Sequence, residues 1–173
     1  MKKGLLLAVL LGVVLLLSQL SGQALVSFQE SRWQIIDLLA YPDKIEKGIS
    51  QKYAVNKSSW ERTDLADGTP RWMAQAKEIY SYELIGTPVK TATLLGGISN
   101  ETEQIAELMI RSALLMRAIG MSKEKAAEVF ERLVNSAGKD RDKKYYVEAE
   151  GIRAEMTVYS AMPMLILTLK KSR

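Results

Sequence analysis

The segment from Tyr145 to Met156, YYVEAEGIRAEM, decides the fold. A two-residue turn at Glu150-Gly151 sets Ala149 opposite Ile152, Val147 opposite Ala154 and Tyr145 opposite Met156. These residues are apolar or amphipathic, and they share one face because side chains alternate along a strand. The same register puts Glu148 opposite Arg153 on the other face, a cross-strand pair worth ~0.5 kcal/mol. Glu155 then falls opposite Tyr146. One alignment sorts both faces, so the segment reads as an antiparallel hairpin with one buried side.

The neighbouring segments extend that sheet. MPMLILTLKK, residues 162–171, is almost wholly apolar from Met162 to Leu169. That is the pattern of a strand at the centre of a sheet or covered on both sides. Upstream lies a pair of helices. Asn100 and Glu103 form an Asn-x-x-Glu capping box. Ile105, Leu108, Met109, Ser112, Met116 and Ile119 then recur at helical spacing up to Gly120. Ser122 caps a second helix, whose apolar stripe runs through Ala126, Val129, Phe130, Leu133 and Ala137 to Gly138.

Before the helices, KEIYSYELIG, residues 77–86, alternates with Tyr80, Tyr82 and Leu84 on one face. Gly86-Thr87-Pro88 turns the chain, and VKTATLLGG, residues 89–97, reads as the partner strand. Residues 77–173 therefore predict an α+β domain: hairpin, two helices, three strands. The sheet is mainly antiparallel, with about five strands and the helix pair packed on one face.

Residues 25–76 form a tryptophan-containing, mostly helical segment in front of that domain. SRWQIIDLLAYP, residues 31–42, predicts a short helix with Ser31 as cap and Trp33, Ile36, Leu39 and Ala40 on one face, stopped by Pro42. Residues 43–55 fit helix and strand equally. Asp67-Gly68 and Pro70 mark a loop over residues 64–70.

Residues 1–24 read as a secretory signal: Lys2 and Lys3, an apolar run from Gly4 to Leu17, and a small-residue pair, Gly22 and Ala24. A retained anchor is the alternative. Removing the segment leaves 22 basic and 20 acidic residues, a net charge of +2 instead of +4. Nothing at that charge favours nucleic acid. An exported chain with no cysteine holds by core burial alone, which suits a bacterial, periplasmic or extracytoplasmic setting.

The absence of histidine and cysteine removes the usual zinc ligands and the Ser–His–Asp and Cys–His nucleophiles. No metal or cofactor is expected. Gly96-Gly97 precedes a helix as a phosphate cradle would, but the motif spacing is absent. Glu101 and Glu103 would also repel an anion there, so nucleotide binding is not expected.

Two kinds of residue remain. Trp33, Trp60 and Trp72, with Tyr80 and Tyr82 on the sheet, are the candidate binding residues for a protein, peptide or lipid-like partner at the envelope. Glu148, Glu150 and Glu155 are the only route to carboxylate chemistry, and Arg153 already answers Glu148. The sequence thus predicts a non-catalytic envelope binding or interaction module. The alternatives are a small envelope hydrolase working through carboxylates and tyrosines, or a structural subunit of an envelope complex.

Overall fold

The computed structural model describes residues 28–98 and 101–172. The signal segment and Asn100, half of the predicted capping box, lie outside the described residues. In chain order the elements are α1 (Arg32–Ala40), β1 (Trp60–Asp64), β2 (Pro70–Gln75), β3 (Tyr80–Ile85), β4 (Thr91–Gly97), α2 (Thr102–Ala118), α3 (Lys123–Ala137), β5 (Lys144–Ala149), β6 (Ile152–Tyr159) and β7 (Met164–Lys171). Short 3₁₀ turns occupy Pro42–Lys44, Gln51–Tyr53 and Lys57–Ser59.

The fold is α+β, and its seven strands make one antiparallel sheet in the order β1-β2-β3-β4-β7-β6-β5. The expected five strands become seven because residues 60–75 supply a further hairpin. The predicted loop is its turn, closed by the Leu65 amide donating to the Thr69 carbonyl at 2.9 Å. β1 escapes sequence reading because it is a charged edge strand, WERTD, with four exposed residues and no apolar alternation.

Elsewhere the register follows the sequence. β5 and β6 pair Tyr145 with Met156, Val147 with Ala154, Glu148 with Arg153 and Ala149 with Ile152. Glu150 and Gly151 both take positive φ, 50° and 72°, as a two-residue turn between right-twisted strands requires. β7 lies between β4 and β6, which explains its apolar composition. Leu165, Leu167 and Leu169 face the core, beside Leu94 and Ala92 of β4 and Met156 and Ala154 of β6.

Among the described residues, three helices cover one face. α3 buries the stripe read from its sequence, Ala126, Val129, Phe130, Leu133 and Ala137, over β5 and β6. α2 lies over β4, and α1 packs on α2 from outside. This second layer changes the pattern of α2: Arg111, Leu114 and Leu115 are buried along with the predicted stripe from Leu108 onward, while Ile105 is half-buried. α1 also differs from expectation. Its buried residues are Ile35, Ile36 and Leu39, and Trp33 is left 70% exposed.

Gly96 and Gly97 finish β4 as expected, and Gly96 has a further packing role. A Cβ at Gly96 would stand 2.4 Å from Leu108 Cδ1 and 3.3 Å from the Tyr80 ring. The missing side chain leaves room for the tip of Leu108 from α2 against the sheet.

Candidate functional site

α1 overhangs the β1–β2 end of the sheet, and a cleft of about 720 Å³ opens between them. Trp33 comes from α1, Trp60 begins β1, and Trp72 sits in β2. All three line the cleft. Trp72 is buried, Trp60 half-buried and Trp33 exposed.

Arginines accompany the indoles. The Arg32 guanidinium lies 4.1 Å from the Trp33 ring centre and 3.9 Å from that of Trp72. Arg62 is the cross-strand partner of Trp72, with its guanidinium 5.8 Å from the ring centre. Stacking of this kind contributes ~0.5–2 kcal/mol, more as water is excluded. Burial lowers the Arg32 pKa, and the like charge of Arg62 lowers it further. Among the described residues no acid offsets either effect. Arg32 Nε and Trp60 Nε1 are shut from solvent without a hydrogen-bond acceptor among the described residues.

Asp37 and Lys57 complete the charged lining. Asp37 is already paired, with Lys44 at 2.6 Å and Lys57 at 2.5 Å. Those hydrogen bonds hold its carboxyl below the ordinary value.

The structure separates the two tyrosines from this cleft. Tyr80 and Tyr82 are each 1% exposed, inside the core. The Tyr80 hydroxyl donates to the Gln104 carbonyl at 3.1 Å. Burial pushes its pKa up to about 12 and raises that of Tyr82 as well. Both rings face a buried polar cluster centred on Arg111 of α2, which is fully enclosed. Arg111 donates to Glu107 at 2.9 Å, to the Tyr53 carbonyl at 3.1 Å and to the Lys52 carbonyl at 3.3 Å. Lys77 closes the set with a 2.7 Å pair to Glu107. The cluster ties the 3₁₀ turn at Gln51–Tyr53 to α2.

Of the three candidate glutamates, Glu148 and Glu155 meet at Arg153, while Glu150 lies apart. Glu148 pairs with Arg153 at 3.7 Å on the sheet face away from the helices. Glu150 accepts the Ser122 amide at 2.6 Å, at the start of α3. Glu155 is buried by its neighbours on the sheet, with Lys170 at 2.7 Å, Arg153 at 2.9 Å and Lys144 at 3.7 Å. Burial pushes the Glu155 carboxyl up, but these cations prevail and hold it below its ordinary value. Tyr80 and Tyr82 point to the opposite face of the sheet from Glu155, whereas Tyr146 lies across from Glu155, its exposed ring 3.9 Å from the Arg153 guanidinium.

The sequence singled out the tryptophans and missed Arg32 and Arg62. A signal was present: arginine stands next to Trp33 and two residues from Trp60. Among the described residues there is no group of three or more metal-ligating side chains, and no helix is long and apolar enough to cross a membrane. No protein-family model matches this chain, and no curated protein or solved structure matches it significantly.

Proposed function

We propose that this chain is an exported, non-catalytic binding module of the cell envelope, and that the tryptophan cleft holds its partner. The observation that carries this reading is the convergence of Trp33, Trp60 and Trp72, from separate segments, around one open cavity. Tryptophans that served packing alone would be enclosed. Trp33 instead spends an indole on solvent at 70% exposure, where its apolar body gains only when something covers it. The volume lies within the 300–1,000 Å³ usual for sites that enclose a small molecule or side chain.

Capture from native envelope extract tests the reading. The full chain should retain a component that Trp33→Ala loses. Trp33 is exposed enough that its removal leaves the fold intact. Equal retention by both proteins would overturn the assignment of the cleft. Export is tested separately by N-terminal sequencing of the extracytoplasmic protein, with cleavage after Ala24 as the expected result.

A further inference from the structure

The chemistry of the lining narrows the ligand. We propose that the cleft takes a carboxylate carried on a flat aromatic body. This rests on the reading of the cleft as the binding site.

Charge is the first argument. Arg32, Lys57 and Arg62 face the cleft against one acid, Asp37, a net of +2. Asp37 is committed to Lys44 and Lys57, and Arg62 pairs at the surface with Asp64 at 3.0 Å. Arg32 has no such partner among the described residues and is repelled by Arg62. An anion placed between the two guanidinium groups turns that repulsion into attraction on both sides. The first turn of α1, where Arg32 sits, also carries no acid, so the positive end of the helix adds to the field.

Hydrogen-bonding capacity is the second argument. The orphaned polar atoms of the lining, Arg32 Nε and Trp60 Nε1, are both donors. The lining's one carboxylate, Asp37, is already taken by Lys44 and Lys57. A sugar brings donors and acceptors together, whereas a carboxylate brings acceptors only and matches the planar fork of a single guanidinium. The third argument is shape. The exposed Trp33 offers a flat surface, on which a ring stacks with more contact than a flexible acyl chain.

Such a group is found on a free aromatic acid and at the end of a peptide finishing in an aromatic residue. Calorimetric titration of the full chain distinguishes them. The probes are naphthalene-2-carboxylate, naphthalene-2-carboxamide, and a short glycine peptide ending in phenylalanine, with free or amidated terminus. A charge-assisted contact predicts about tenfold tighter binding of acid than amide, and that preference should shrink with added salt. The peptide pair shows whether a chain terminus is accepted. Arg32→Gln should abolish the preference without changing amide affinity, while Trp33→Ala weakens acid and amide together.

If acid and amide bind equally, and Trp33→Ala weakens both, the carboxylate assignment falls and the cleft reading stands. If none of the probes binds, the carboxylate assignment falls. If Trp33→Ala also leaves envelope capture unchanged, the cleft reading falls with it. The comparison of acid with amide and its salt dependence use the unaltered protein, so they hold even if Arg32→Gln fails to fold.

Discussion

Arg111 and Arg32 both lie against aromatic rings, yet their surroundings are opposite in kind. Arg111 is fully enclosed, 4.9 Å from the Tyr80 ring centre, and its guanidinium is answered by a carboxylate and two carbonyls. Arg32 is half-buried and held between two indoles with no polar partner among the described residues. A charge taken into the core is tolerated only when its partners are complete. A charge kept in place by stacking alone retains its hydrogen-bonding edge for something else. The first arrangement builds a fold, and the second suits the proposed site.

The sharpest test of the contrast is to remove the enclosed cation. Arg111→Met should cost about 3–5 kcal/mol, because Glu107 is left buried with only Lys77 to answer it. Urea unfolding measures this. Replacing Glu107 by leucine in the same chain should recover much of the loss. Within the cleft, Trp72→Ala should cost about 3 kcal/mol, since that indole is 7% exposed and floors the cavity.

The enclosed cluster also predicts a pH profile. Tyr80 has its pKa raised to about 12 from 10.0, so the folded state holds the proton more tightly than the unfolded chain. Its contribution is complete below pH 10 and is lost between pH 10 and 12, roughly 2–3 kcal/mol in all. Tyrosinate absorbance should therefore rise late and together with loss of structure. At the acid end, burial raises the Glu107 carboxyl, but Lys77 and Arg111 overcome it and the net shift is downward. That contribution is present above the ordinary carboxylate value and disappears as pH falls through the lowered one. Glu107→Gln should blunt the acid limb of a stability–pH curve.

Arg32→Gln should cost about 1 kcal/mol, the worth of its stacking. A loss matching that of Arg111→Met would erase the distinction between site and scaffold. Smallest of all, Trp33→Ala should stay within about 0.5 kcal/mol in thermal unfolding, as surface changes do.

The same contrast explains what the sequence could disclose. The β5–β6 register was legible because both faces obey period two at once, and α3 because one side of it meets water. α2 was only half legible: Arg111 and Leu115 are buried by α1 and its flanking turns, a layer that no periodicity within α2 announces. β1 left no pattern because an edge strand with four exposed residues has no buried side to mark. Trp33, Trp60 and Trp72 could be picked out by residue type. Their convergence depends on α1 crossing the β1–β2 hairpin, which is a tertiary fact. Tyr80 and Tyr82 were the opposite case: the alternation that identified β3 put them on one face with Leu84, and that face is the core.

The place of β7 bears on how the chain comes to be folded at all. It follows the other six described strands in the chain, yet it sits inside the sheet, between β4 and β6. As the chain emerges, β1 to β4 can pair with their sequence neighbours, but the free side of β4 has no partner until residues 164–171 exist. The half-sheet must wait with an open hydrogen-bonding edge, the condition in which strands recruit wrong partners. Completion then depends on contacts spanning much of the chain, which slows folding. A nascent chain stalled before Met164 is thus predicted to be sticky, and the arrival of residues 164–171 is the event that seals the sheet.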